Sequence, residues 1–288
     1  MREDEQMPHR YVLTLLCPDR PGIVFAVTGA LLDLGGNIAD SAQFGDPDTG
    51  LFCLRMVVDT EADEAAQLDS TLRKRLAEYG PTIVVRRVDD RPRVMVMVSR
   101  FDHCLVDLLY RWRNGELQID IPVIASNHPD CEDIADRYGI RYVHLPVTPD
   151  TKAQQEASIL NLVDEQRIDL VVLARYMQIL SNDLCRRLAG RAINIHHSFL
   201  PGFKGARPYH QAHDRGVKLV GATAHFVTAD LDEGPIIEQD VVRVTHAQTA
   251  EQLTRMGQDV ERMVLSRAVR FWAENRILLV GHKTVVFP

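Results

Sequence analysis

Ile193-Asn194-Ile195-His196-His197-Ser198-Phe199-Leu200-Pro201 is a short strand that runs into a turn. Ile193 and Ile195 alternate with Asn194 and His196, a period of two. Asn194 and His196 therefore project to one side, roughly 7 Å apart at their Cα atoms. Asn offers an amide N–H that can hold a developing oxyanion. His offers a proton carrier near neutral pH. The same pattern also suits a plain buried strand end with two hydrogen-bonded polar side chains. Upstream, Val94-Met95-Val96-Met97-Val98 and Leu170-Val171-Val172-Leu173-Ala174 are unbroken apolar runs. Such runs are expected of parallel strands buried on both faces.

Around these runs, strands are expected at 93–99, 117–125, 142–145, 170–174 and 192–196, although Pro122 leaves the interior of the second open. Helices are expected at 104–113, 129–138, 150–166 and 182–188, with Asp150 or Thr151 as the cap of the third. Strands alternating with helices make an α/β parallel sheet. Ligands of such sheets sit beyond the C-terminal strand ends, where Asn194 and His196 lie. Further on, the pattern predicts a helix reaching about residue 215, then strands at 219–227 and 236–244 around an acidic turn at 229–235. A long helix at 249–275 places Leu253, Met256, Val260, Val264 and Leu265 near one face, and a tail pairs 277–280 with 284–287.

The first part of the chain reads differently. Strands at 11–16, 37–44, 51–58 and 82–88 and helices at 23–34 and 62–79 give the order βαββαβ, a ferredoxin-like sandwich. Many functions use that fold. Asp89-Asp90-Arg91-Pro92 is a charged linker. The expected domains are 8–88, the linker 89–92, and 93–288. A length of 288 residues agrees with about two domains at roughly 150 residues each.

Hydrophobic content of 45% and charged content of 25% suit a soluble globular protein. A net charge of −7 provides no general attraction for nucleic acid or anionic membranes. The five cysteines are scattered and odd in number, which argues against a disulfide framework or a zinc cluster. A reducing cytoplasm fits. Residues 1–9 hold no apolar core of a signal peptide. No apolar run approaches the ~20 residues of a membrane span.

Two resemblances sharpen this. Asp19-Arg20-Pro21-Gly22-Ile23 after the first strand and Gly36-Asn37-Ile38 entering the second resemble an ACT domain over about residues 10–88. ACT domains pair edge to edge and bind a small amino acid near that glycine turn. The resemblance implies at least a dimer and an effector site at Asp19, Arg20, Gly22 and Asn37, with methionine or glycine as effector. A dimerisation module without a ligand is the plainer alternative.

The second resemblance spans about residues 93–288. Asn194-Ile195-His196, Ser198-Phe199-Leu200-Pro201, His225-Phe226-Val227 and Leu231-Asp232-Glu233-Gly234-Pro235 resemble the folate-dependent formyltransferase superfamily. A Rossmann-like, mostly parallel sheet is implied. The superfamily's catalytic Asn, His and Asp fall on Asn194, His196 and Asp232. Asp232 would orient the imidazole or order an attacking water; by spacing alone, Asp230 and Glu233 are equal candidates, and all three suit an ordinary turn. Folate contacts map onto the 173–180 stretch, chiefly Met177, Gln178, Ile179 and Leu180, and onto Val227 and Thr228. Core packing is the alternative for Ile179 and Leu180. His197, Ser198 and His225 would be supporting residues, and strand alternation would turn His197 away from His196. His210 and His213 could line the loop. His196, His197 and Asp232 carry metal-donor atoms, but the resemblance implies neither metal nor other cofactor.

One departure separates the chain from the superfamily's glycinamide ribonucleotide formyltransferases. Those carry a glycine-rich phosphate loop after the first strand of this domain. Here that place holds Ser99-Arg100-Phe101-Asp102-His103-Cys104, from which no such cradle can be built. His197 stands where those transferases usually have Pro. Gly205-Ala206-Arg207-Pro208-Tyr209-His210 and the fused ACT-like domain add to the resemblance to hydrolytic members. Water is therefore the expected nucleophile: 10-formyltetrahydrofolate would yield tetrahydrofolate and formate, supplying formate for purine synthesis and balancing the one-carbon folate pool.

Overall fold

A computed structural model describes residues 9–61, 65–202 and 208–288. It divides into two compact units, one of the chain up to Asp90 together with Glu274–Pro288, the other Arg91–Ala273. Residue 8, the expected helix start at 62–64 and Gly205-Ala206-Arg207 lie outside the described residues.

The first unit runs β1 (His9–Pro18), α1 (Ile23–Leu32), β2 (Asn37–Asp46), β3 (Leu51–Thr60), α2 (Ala65–Arg75), a 3-10 turn at Ala77–Tyr79 and β4 (Thr82–Arg87). This is the expected βαββαβ order. The antiparallel sheet has the order β2-β3-β1-β4. Alternation along β1 sends Tyr11, Leu13 and Leu15 to the helix side, against Val27, Leu31, Leu68, Leu72 and Leu76. The second helix ends earlier than its apolar spacing predicts. Tyr79 N–H bonds back only three residues, to Leu76 O, before Gly80 at φ 58° closes the end.

The second unit begins with β5 (Arg93–Val98), α3 (His103–Arg113), β6 (Asp120–Ser126), α4 (Glu132–Tyr138), β7 (Arg141–His144), α5 (Lys152–Glu165) and β8 (Leu170–Leu173). It continues with α6 (Asn182–Arg187), β9 (Ala192–His196), α7 (Pro208–Asp214), β10 (Leu219–Phe226), β11 (Ile236–Arg243) and α8 (Ala250–Ala273). The sheet order is β11-β10-β9-β8-β5-β6-β7. Strands β5 to β9 pair in parallel, and β10 and β11 antiparallel. Pro122 does sit within β6, at the point where the pairing with β5 slips, so its missing N–H breaks no regular ladder. The order reverses between β5 and β8. At such a switch point the loops diverge and leave a crevice beyond the C-terminal strand ends.

The last strands, β12 (Ile277–Val280) and β13 (Lys283–Val286), form the expected hairpin but not with the second domain. The expected range 93–288 is corrected here, because Glu274–Pro288 packs with the first unit. The reason is apolar burial. The face of the first sheet turned away from its helices carries Leu16 and Cys53, and Leu278, Val280 and Phe287 cover them. Arg55 also donates to the carbonyl oxygens of Glu274 and Asn275, both at 3.2 Å. Among the described residues no helix is long and apolar enough to cross a membrane.

Candidate active site

Residues after β5, β8, β9 and β10 line one cavity of about 580 Å³ in the second unit. Asn194 and His196 share its wall, as a period of two demands, and Asp232 joins them from the turn before β11. Asp232 Oδ1 lies 3.2 Å from His196 Nδ1 and 3.8 Å from His225 Nε2. Asp230 also lines the cavity but makes no such contact, and Glu233 does not line it. The geometry therefore selects Asp232 and gives it the imidazole as partner. Asp232 has φ 57°, in the left-handed region that non-glycine residues seldom occupy.

With Nδ1–H directed at Asp232, the other nitrogen of His196 carries the lone pair. That Nε2 is buried and has no hydrogen-bond partner among the described residues. Burial works against ionisation of Asp232, but the hydrogen bond from His196 and its electrostatic pull hold the carboxyl below the usual range.

His225 orients Asn194. Its Nδ1–H donates to Phe226 O at 2.9 Å, which leaves Nε2 to accept from Asn194 Nδ2 at 3.3 Å. Burial lowers the pKa of His225, so the ring is neutral and can accept. The carbonyl that holds it depends on Gly234. A Cβ there would stand 1.7 Å from Phe226 O, and Phe226 N–H donates to Pro235 O at 2.9 Å.

The strand rule fails at His197. It follows the last residue of β9, where the ladder has ended, so alternation no longer applies. Its ring lies 5.1 Å from that of His196 and lines the same cavity instead of pointing away. Burial, with the charges of Arg175 and His196, drops its pKa to about 3 against the pull of Glu261 and Asp232. Ser198 is buried outside the cavity, with Oγ donating to Gly202 O at 2.8 Å. Its own carbonyl accepts from Thr223 Oγ1 at 2.9 Å, and that hydroxyl accepts from Leu200 N–H and from Gln239. Ser198 is thus part of the frame of the turn.

Met177, Gln178, Ile179, Leu180, Val227 and Thr228 all line the cavity. Ile179 is 61% exposed, so it is no core residue; Leu180 is half-buried and also packs on the core. Met177 N–H is held by Ser99 Oγ at 3.0 Å, and Ser99 donates to Asn127 at 2.6 Å. Phe101 lines the cavity too. His210 lines it and is exposed; His213 points elsewhere and contacts Asp214 at 3.5 Å.

Sequence reading missed a buried network of Arg175, Glu261, Tyr209 and His103. Tyr209 Oη and His103 Nε2 donate to Glu261 at 2.6 and 2.8 Å. A signal was present: Glu261 lies on the apolar stripe of the long helix, between Val260 and Val264. His103, Cys104 and Glu261 stand close enough for a metal ion. The Arg175 cation 3.5 Å from Glu261, and a Cys104 thiol that burial keeps protonated, both oppose one there. In the first unit Asp19, Arg20, Gly22 and Asn37 are all exposed, and Gly22 adopts φ 96°.

Comparison with known proteins defines the class. The formyl transferase family model matches residues 92–269, and the ACT domain model matches residues 11–77. A formyltetrahydrofolate deformylase of Corynebacterium sp. (strain P-1) is 48% identical, across 96% of this chain and 98% of that protein. A formyltetrahydrofolate deformylase structure from Burkholderia mallei superposes with a TM-score of 0.94 at 50% identity, across 98% of this chain and 100% of that one. Glycinamide ribonucleotide transformylase 1 from Symbiobacterium toebii has a TM-score of 0.65 at 31% identity and covers 69% of this chain and 95% of its own. The chain belongs to the formyltetrahydrofolate deformylase family.

Proposed function

We propose that the protein hydrolyses 10-formyltetrahydrofolate to tetrahydrofolate and formate. The observation that carries the reading is His196, with Nδ1–H tied to Asp232 and a buried, unpartnered Nε2 beside the oriented amide of Asn194. Nε2 takes a proton from water as the water oxygen bonds to the formyl carbon. The carbonyl oxygen becomes an oxyanion, held by the Asn194 N–H not directed at His225. Collapse breaks the bond from carbon to N10, the proton on His196 passes to N10, and the formic acid so formed loses its remaining proton to solvent to give formate. Asp232 keeps the imidazole in the correct tautomer and stabilises it while it is charged. No metal or other cofactor enters these steps.

The pterin lies along Met177 to Leu180 and Val227 to Thr228, where apolar side chains alternate with backbone groups able to meet a ring edge. Phe101 fills the place of a phosphate loop, so water and not an acceptor nucleotide attacks. The ACT unit binds methionine or glycine at Asp19, Arg20, Gly22 and Asn37, and pairs with a second copy through its sheet edge. The enzyme works in the cytoplasm and supplies formate for purine synthesis.

The test is formate release from 10-formyltetrahydrofolate with no amine acceptor present. Wild type is expected to release formate, and His196→Ala to do so roughly 100-fold more slowly or worse. Release that requires an added amine, or an undiminished rate in the variant, would overturn the reading.

A further inference from the structure

Part of the cavity has no use in those steps. Arg175 is the second residue after β8 and is held at φ 65°, in the left-handed region. It is 8% exposed and lines the cavity. Its guanidinium carbon sits 5.2 Å from the centroid of the Phe101 ring, within cation–π range. Its Nε lies 3.5 Å from Glu261 Oε2, outside hydrogen-bond geometry. Nε and Nη1 have no hydrogen-bond partner among the described residues. Glu261 is already engaged by Tyr209 and His103.

A buried charged donor left unmade is costly, and a ligand that completes it removes the cost. A rigid planar fork of N–H groups matches a carboxylate. We infer that Arg175 is the anion-binding group of a small-carboxylate subsite in this cavity, and that the formate product occupies it. The inference rests on the hydrolytic reading, which supplies the formate. The ring centroids of His196 and His197 lie 5.1 Å apart and those of His197 and Tyr209 6.3 Å apart, and Tyr209 bonds Glu261, so a wall of side chains runs from His196 to the partner of Arg175. Arg175 takes no part in the proposed steps. His196 and Arg175 line one cavity, so formate released beside Asn194 is in the same cavity as Arg175. The Glu261 carboxylate opposes any anion there, so the subsite binds weakly and lets the product go.

The experiment is a titration of full-length protein with 13C-formate, without folate, read by line broadening. Wild type is expected to bind saturably, Arg175→Gln about tenfold or more weakly. Arg175→Lys keeps a cation for Glu261 but loses the fork, and should also bind more weakly than wild type; it carries the test if Arg175→Gln does not fold. Absence of saturable binding by wild type, or equal affinity in wild type and the folded variants, would overturn the subsite. Turnover is read separately. Arg175-dependent formate binding in a protein that releases no formate would sink the hydrolytic reading alone. Hydrolysis with Arg175-independent formate binding would sink the subsite alone.

Discussion

One N–H of Asn194 points at Nε2 of His225, and the proposed mechanism gives the other to the substrate. In the proposed mechanism His225 therefore acts on turnover without touching the reacting atoms. His225→Phe should lower kcat about tenfold or more and leave KM within about threefold, because the ground-state carbonyl needs the amide less than the oxyanion does. A KM effect with unchanged kcat would assign His225 to folate binding. His197 sets an acid limit. Its pKa of about 3 lies below the ordinary 6.5, so the unfolded chain takes up its proton first. Its contribution to stability is complete above about pH 6.5 and is lost as pH falls toward about 3. The Asp232 carboxyl, also depressed, adds a loss below the ordinary carboxylate range. Urea unfolding at stepped pH should show wild-type stability falling between pH 6.5 and 4 by up to roughly 1.4 kcal/mol per unit more steeply than in His197→Gln. Parallel curves would show that His197 is not buried as described.

At the scale of elements, the candidate active site is a set of strand ends joined by two tight turns. Thr223 on β10 and Gln239 on β11 hold the turn after β9, and Gly234 lets the turn before β11 approach β10. Gly234→Ala is expected to cost about 2 kcal/mol or more and to lower activity with it, because its methyl must displace the carbonyl that binds His225. A urea midpoint and activity both near wild type would show that this turn has room to move. Gly257 plays a matching part on α8, where a Cβ would stand 2.1 Å from Tyr209 Cζ.

For the whole molecule, the first unit leaves β2 at a sheet edge, exposed along nearly all its length, with Ile38 37% and Phe44 44% exposed. An open edge of that length is a template for another strand. Replacing both Ile38 and Phe44 with Lys should shift the protein toward monomers in light scattering after size exclusion, and an unchanged mass would move the interface elsewhere. Gly22 carries the effector proposal. Its φ of 96° disfavours any side chain, and a Cβ would lie 2.8 Å from Tyr79 Oη. Gly22→Ala should therefore weaken the response of turnover to methionine or glycine about tenfold while basal kcat is kept; an unaltered response would place the effector at another surface.

Local pattern is enough for the element order, for both family resemblances and for the pairing of Asn194 with His196. These depend on the period of a strand, the period of a helix and the chemistry of turn residues, which act over a few positions. Spacing cannot rank Asp230, Asp232 and Glu233, because the choice lies in which carboxylate a turn brings to a histidine on a strand 36 residues earlier. His197 escapes the strand rule because alternation is a property of the ladder, and the ladder stops at His196. The tail joins the first unit against expectation because its apolar residues do not say which sheet face they will cover. Arg175 meets Glu261 only through folding, since a loop after β8 and a helix far along the chain share no sequence neighbourhood. Contacts between remote segments arise when burial closes the chain on itself, and only the tertiary structure could decide them.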